Sequence, residues 1–364
     1  MRVHPLTSAL VCPDKFRGTL SAAQAAAAMA AGARRAGFET VRELPLADGG
    51  EGTLDALVAS LGGSRRRAMV TGPLGDPVEA EWAMAPGGTA VVEMAQASGL
   101  HLLDTQRKDP LRASSRGTGE LIAIAIREGA RRVIVGMGGS ASTDGGLAAV
   151  ETLGWSLHHV PVTVACDVTT RFVDSARLFA PQKGATGAQV ALLTRRLERL
   201  ADQYESRTGV EVRELPGGGA AGGLAGGLAA IGATLEPGFD VVAGAVGLEG
   251  AFDDVDLVLT GEGKLDATSF AGKTVGGVLE WANDEGVPHL AVIAGQVTAD
   301  ARDEAGVHPN LQVLALTDRV WQGGEAFARA ATLVEEAAYE AATRALGEEP
   351  DDGTSEGLAD GTTE

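Results

Sequence analysis

The chain has 364 residues, 45% of them hydrophobic, with 51 glycines, two cysteines and a formal net charge of −19. The length suits two domains better than one, the composition is globular, and two thiols build neither a disulfide framework nor a cysteine-type zinc site. Such acidity argues against a nucleic-acid partner, which needs a basic face, but not against a nucleotide held by a local cluster of amides and cations.

In chain order, residues 6–12 read as a strand, 13–19 as a polar loop, and a helix opens near Ser21. The Ala-rich stretch from Ser21, "SAAQAAAAMAAGARRAG", has strong helix propensity but lacks the large apolar residues of a membrane span. "LTSALVC" is too short for a signal peptide and runs straight into charged "PDKFRG". A cytoplasmic protein without a membrane partner is expected. Residues 40–46 form a second strand, followed by "ADGGEG" and a helix over about 53–60. From about 66 to 95, alternating apolar and polar residues around "GPLGDP" and "PGG" predict antiparallel hairpins. "TGELIAIAIREG" is an amphipathic helix, "RRVIVGM" a strand entering "GGSASTDGG", and "PVTVACDVT" a strand ending at Asp167. "AQVALLTRRLERLADQYESRTG" has the 3–4 apolar spacing of a long surface helix. "EVREL" is strand-like and leads into glycine-rich "LPGGGAAGGLAGGLAAIGATL", a loop running into a helix. "DVDLVLTGEG" and "VPHLAVIAGQV" are buried strands, and a last helix covers about 324–346. The final 18 residues (347–364) hold seven acids and no base, and read as a disordered acidic tail.

Short apolar strands alternating with helices give an α/β fold with parallel layers. The hairpin region breaks that pattern and reads as the start of a mixed α/β domain inserted into the first. The expected partition is 1–66 with 255–346, and 67–254.

Ligands of parallel α/β sheets sit at the carboxyl ends of strands. Five such loops each carry a carboxylate here. Asp14, Lys15 and Arg17 follow the first strand, and Asp48 and Glu51 the second. Ser140, Ser142, Thr143 and Asp144 follow "VIVGM". Asp167 and Thr169 follow "VTVAC", and Glu262, Lys264 and Asp266 follow "LVLT". One Asp after a strand usually caps a helix, and Asp144 has that option. Five together, with a few cations, suit Mg²⁺-dependent chemistry on a phosphate: carboxylates hold Mg²⁺ and take the hydroxyl proton, while Lys and loop amides offset phosphoryl charge.

Three glycine motifs invite other readings. "GGGAAG" (217–222) fits a dinucleotide fingerprint formally, but Glu236 stands closer to Gly222 than the about 20 residues such a fingerprint wants, and in a turn. A phosphate cradle of helix-start amides, or tight packing through small residues, are its other readings. Gly272-Lys273-Thr274 is not a Walker loop, because Ala267 stands where the first glycine belongs. The six histidines lack metal-ligand spacing, and buried Cys12 and Cys166 read as core packing.

"PDKFRGTLSA", "PLADGGEGT", "VTGPLGDPVEA", "VEMAQASGL", "DPLRASSRGTGELI", "VGMGGSASTDGG", "ACDVT", "APQKGA", "PGGGAAGGL" and "DLVLTGEGKLD", in that order, resemble the bacterial type I glycerate kinases from about residue 7 to 345. The resemblance implies two α/β domains, one Rossmann-like and one inserted, with the site in the cleft between them. It also implies ATP- and Mg-dependent phosphorylation of D-glycerate to 2-phosphoglycerate. Lys15 and Arg17 stand where the family has Ser and Lys, Lys264 and Thr268 where it has Arg and Gln, and the segment after Asp167 is shortened. Asp14 or Asp167 is then the expected base. Lys15, Arg17, Lys183 and Lys273 would neutralise substrate and phosphate charge. Asp48, Gly49, Glu51, Ser140 and Asp266 would line the substrate site. Gly138, Gly139 and Gly217, Gly218, Gly219 would offer amides to the nucleotide. Asp144 and Glu262 are the expected metal ligands, with Asp48 and Glu51 as further candidates. Another small hydroxy acid or polyol as acceptor, a non-catalytic sensor and an NAD-linked oxidoreductase are alternatives. The sequence sets no oligomeric state.

Overall fold

The computed structural model describes residues 6–308, 310–320 and 323–348. The acidic segment 349–364 lies outside the described residues.

The first sheet holds β1 (Ser8–Val11), β2 (Thr40–Glu43), β9 (Leu257–Leu265), β10 (His289–Val297) and β11 (Leu311–Ala315), in the order β11-β10-β9-β1-β2, all parallel. The second holds β3 (Ser64–Thr71), β4 (Pro77–Ala85), β5 (Thr89–Glu93), β6 (Arg132–Gly136), β7 (Val162–Ala165) and β8 (Thr234–Glu236), in chain order. Pairs β3–β4 and β4–β5 are antiparallel, and the rest are parallel. The expected parallel layer and hairpin region are both present.

In the first sheet the chain steps from β1 to β2 on one side and from β9 to β10 and β11 on the other. The order reverses between β1 and β9. A doubly wound sheet opens its ligand crevice at such a switch point, outside the carboxyl ends of the strands. Asp14 and Glu262 stand at those ends.

Local chemistry explains the elements around this frame. The Ala-rich helix Ala22–Ala36 starts at a capping box: Gln24 N donates to Ser21 Oγ (3.2 Å), and Ser21 N donates to Gln24 Oε1 (2.9 Å). Its small residues let the helix Ala330–Ala345 lie against it, backbone close to backbone. A second apolar layer fills the other face of the sheet. It includes Leu10, Leu46, Val258 and Val292 from the first sheet's elements and Val91, Ile134 and Ala165 from the second sheet, joined through Phe239. One apolar layer is therefore shared by the two sheets, while their outer faces carry separate ones.

Some boundaries differ from the sequence reading. The second strand is shorter than 40–46, because the chain leaves β2 at Glu43 to carry Leu46 and Asp48 toward the other sheet. Residues 211–215 ("EVREL") form turns and irregular chain, not a strand, so the dinucleotide fingerprint loses its structural context. The last helix is two segments, Gly323–Ala328 and Ala330–Ala345. No described helix is long and apolar enough to cross a membrane.

Gly32 tests the helix packing. A Cβ there would lie 2.3 Å from the Glu335 carbonyl oxygen and 2.7 Å from Tyr339 N. Gly32→Ala should destabilise the protein by about 2 kcal/mol through overpacking, despite better helix propensity. Urea unfolding reads it, and an unchanged midpoint would mean that the two helices separate without cost.

Candidate active site

The loop after β1 places Asp14 at the base of the crevice. Its amide donates to Gly261 O (2.9 Å), which stitches the β1 and β9 ends together. The carboxylate is 7% exposed. Oδ1 accepts from Lys15 N (2.6 Å) and Lys15 Nζ (3.5 Å), and Oδ2 accepts from Thr274 Oγ1 (3.3 Å). Burial raises the Asp14 pKa, Lys15 opposes that, and Asp48 adds to it. Lys15 Nζ also lies 3.7 Å from Asp48 Oδ1, so one ammonium stands between two carboxylates. Burial works against that charge, but the Asp14 and Asp48 carboxylates outweigh it and the Lys15 pKa rises.

β9 delivers Glu262 to the same cavity of about 410 Å³, together with Lys264, Asp266 and Lys273. Burial first, opposed by a Ser269 hydrogen bond and reinforced by Asp14, pushes Glu262 up to about 7. Asp266 is turned away into a local cap. Its Oδ1 accepts from Thr268 Oγ1 (2.6 Å) and Thr268 N (3.0 Å), and these bonds hold its pKa down. Lys273 is the residue before the helix Thr274–Asp284, and its Nζ donates to Thr268 Oγ1 (3.0 Å).

From β2 the chain crosses to the second sheet, where 48–52 meets the ends of β6 and β7. Asp48 Oδ1 accepts from Gly50 N (3.1 Å). Gly49 O accepts from Met137 N (2.9 Å), and a Cβ on Gly49 would lie 2.6 Å from Gly238 Cα. A Cβ on Gly138 would lie 2.9 Å from Glu51 N. These glycines let two backbones touch. Glu93 of β5 reaches across to cap the helix Thr53–Leu61, accepting from Leu54 N at 2.8 Å, and burial raises its pKa.

A second cavity of about 480 Å³ opens beside this contact, lined by Arg17, Asp48, Glu51, Gly138, Ser140 and Asp167 among others. Asp167 Oδ1 accepts from Gly238 N (2.9 Å). Its side chain is open to the cleft, yet partial burial and the nearby Asp48 push it up to about 7. The amides of Gly138 and Gly139 donate to no protein acceptor among the described residues. Arg17 is exposed and lines both cavities, as well as a third of about 540 Å³ that also holds Lys15 and Glu51. One cleft thus runs across the carboxyl ends of β1, β9, β6 and β7.

Other expected residues fall outside it or are engaged elsewhere. Asp144 borders a different cavity from Glu262. Both its oxygens are taken: Oδ2 by Ser115 N and Oγ (2.8 Å each), Oδ1 by Gly146 N (3.2 Å). It serves the local turn, and the two expected metal ligands do not share a site. Lys183 is 2% exposed beneath the cleft floor. Its Nζ donates to Ser140 Oγ (2.8 Å) and Ser142 O, and burial lowers it to about 7 against the pull of Asp144. It supports the 138–142 loop rather than facing a ligand. The amides of Gly218 and Gly219 are spent on Leu215 O and Thr170 O, and a Cβ on Gly219 would lie 2.5 Å from Arg171 O. That glycine run answers packing, and it is Ala220 and Ala221 that border the cleft. Thr274, Gln296 and Phe327 line the first cavity but were not singled out from sequence. Thr274 ends the "GKT" string, which fails as a Walker loop for want of its first glycine; its hydroxyl meets Asp14 across 260 residues.

A sequence profile described as the glycerate kinase family matches residues 9–160 and 155–346. The glycerate 2-kinase of Escherichia coli K12 is 38% identical over 328 residues, covering 80% of this chain and 86% of that enzyme. The glycerate kinase of Bacillus subtilis 168 is 38% identical over 333 residues, covering 80% and 86%. A crystal structure provisionally assigned to glycerate kinase 2 of Salmonella typhimurium LT2 superposes with a TM-score of 0.81 at 33% identity, covering 93% of this chain and 98% of that one.

The carboxylates set a pH dependence of stability. Asp167 and Glu262 titrate at about 7 when folded and at about 4 when unfolded. Between those values the folded state holds protons that the unfolded state lacks. Their stabilisation is complete below about pH 4 and is lost as pH rises through 7. Lys183 runs the other way, its contribution being lost as pH falls through about 7. A double variant, Asp167→Asn with Glu262→Gln, should lose less stability than the parent between about pH 5 and 8 in urea titrations. Parallel curves would show that neither carboxyl is perturbed.

Proposed function

Because this chain belongs to the glycerate kinase family, we propose that it transfers the γ-phosphoryl group of ATP, with Mg²⁺, to the C2 hydroxyl of D-glycerate, giving 2-phosphoglycerate. The observation that carries this reading is the convergence of Asp14, Lys15, Asp48, Glu262 and Lys273 on one crevice at the β1/β9 switch point. We take the two sheets as the cores of two domains, with the chain crossing between β2 and β3 and returning between β8 and β9. The site then lies between them, where excluding water protects the phosphoryl group from hydrolysis.

Asp167 is the better proton acceptor. Gly238 N holds one of its oxygens, the other is left to the cleft, and a pKa of about 7 suits a base near neutrality. Asp14 has both oxygens engaged and instead fixes Lys15 and Thr274. Lys15, Arg17 and Lys273 would neutralise the glycerate carboxylate and the phosphates. The amides of Gly138 and Gly139 would receive an anionic oxygen.

Mg²⁺ fits this donor set. It takes oxygen ligands and commonly uses only one or two protein carboxylates beside substrate phosphates and water. Glu262 and Asp48 would hold it. When bound, it would offset the charge developing on the transferring group.

An ADP-release assay with D-glycerate and Mg-ATP tests the reading, and phosphorus NMR of the product identifies the phosphorylated carbon. We expect kcat/KM to rise with pH through about 7 as Asp167 loses its proton. Asp167→Asn should lower kcat by about 10²–10⁴ and flatten that rise. Turnover with a different hydroxy acid or polyol, but none with glycerate, would reject the acceptor and keep the reaction class.

A further inference from the structure

A cavity of about 420 Å³ lies on the far side of the loop that joins β6 to the helix Leu147–Thr152. Gly138, Gly139 and Ser140 of that loop face the catalytic cleft, whereas Thr143 and Asp144 border this other cavity. Its floor is apolar, from residues such as Leu147, Leu197 and Leu200. Its rim carries three arginines. Arg196 and Arg199 stand one turn apart on the helix Gly187–Thr208, and Arg112 faces them from the segment before the helix Arg116–Arg127.

The charges decide what such a cavity holds. The chain has 49 acidic residues to 30 Lys and Arg, and many though not all of the arginines elsewhere on its surface are paired, as Arg65 is with Asp55 and Glu81, and Arg171 with Asp174 and Glu214. Among the described residues none of these three arginines pairs with a carboxylate. Arg196 Nη1 donates once, to Leu111 O at 3.1 Å, and the guanidinium groups of Arg112 and Arg199 make no hydrogen bond. Two carboxylates also border the cavity. Asp144 is saturated by Ser115 and Gly146, and Glu151 is exposed. A second observation is independent of the arginines. Thr143 is 2% exposed, and its hydroxyl has no hydrogen-bond partner. A buried hydroxyl left unpaired is costly, and a ligand oxygen would relieve it.

We propose that this cavity is a second binding site, for a compact organic polyanion: a small carbon acid with at least two anionic groups, phosphate or carboxylate. Guanidinium forks match both groups in geometry, the apolar floor accepts the carbon body, and the volume is that of a small-metabolite site. The site is distinct from the cleft and shares only the β6 loop with it, so its ligand touches the Thr143–Asp144 end while Ser140 stays with Lys183.

Calorimetric titration with phosphoenolpyruvate in one arm and tricarballylate in the other tests this and separates phosphate from polycarboxylate recognition. We expect saturable binding of at least one probe to the intact protein, weakened at least tenfold by Arg196→Ala with Arg199→Ala. Both positions are exposed, so the fold is not at risk. Thr143→Val, close in shape, should weaken the same probe without changing kcat for the transfer reaction measured in its absence. Binding of neither probe overturns the proposal. So does binding that the double arginine variant retains in full, since the anion would then sit in the cleft.

Discussion

The backbone contact between residues 48–51 and the ends of β6 and β7 is the constraint on which the site depends. Gly49 O accepts from Met137 N, and there is no room for a side chain on Gly49, Gly138 or Gly238. That contact brings the carboxyl ends of two separate sheets to one place. Asp48, from the loop after β2, then lies near Asp167, from the second sheet, closely enough that its charge adds to the rise in the Asp167 pKa. Glu93 fastens the arrangement from the opposite direction by capping the helix Thr53–Leu61. None of these contacts is strong alone. Together they fix where the cleft opens while the shared core beneath holds the two sheets.

Electrostatics follows from that geometry. Burial first, and the neighbouring carboxylates second, raise the pKa values of Asp14, Asp167 and Glu262 around one cleft. Lys15 offsets part of that rise by standing between Asp14 and Asp48. A site with unmet demand for positive charge has differential affinity for a cation that arrives with its substrate, and that is how a protein spends stability to hold a reactive arrangement.

Much of this was legible in the sequence. Strand–loop–helix alternation located the parallel layers, and of the five strand-end carboxylate loops those after β1, β2, β7 and β9 border one cleft, whereas Asp144 after β6 does not. The 66–95 alternation gave the hairpins. Other features were hidden because they depend on three-dimensional pairing. Asp144 looks like Asp167 in sequence, each in a polar loop after an apolar strand, and only the presence of Ser115 across 29 residues turns one into a structural cap. Lys183 carries an ammonium that reads as a phosphate contact, yet burial places it under the loop. The glycines at 217–219 look like an anion cradle, but Gly218 and Gly219 spend their amides on Leu215 and Thr170. The "GKT" string is no Walker loop, and nothing local to it marks its threonine as a second holder of Asp14.

Lys183 shows how the two cavities can be related through a single loop. Among the described residues its ammonium has no carboxylate within bonding distance, and it is held by Ser140 Oγ and Ser142 O while Asp144 acts on it only through space. Ser140 borders the cleft, and Asp144 borders the arginine-rimmed cavity. A buried cation with a pKa of about 7 is sensitive to a nearby charge, because little solvent screens it. Ser140 and Ser142, the two holders of that ammonium, thus tie the wall of the cleft to the loop end that borders the other cavity, so the same buried side chain supports both.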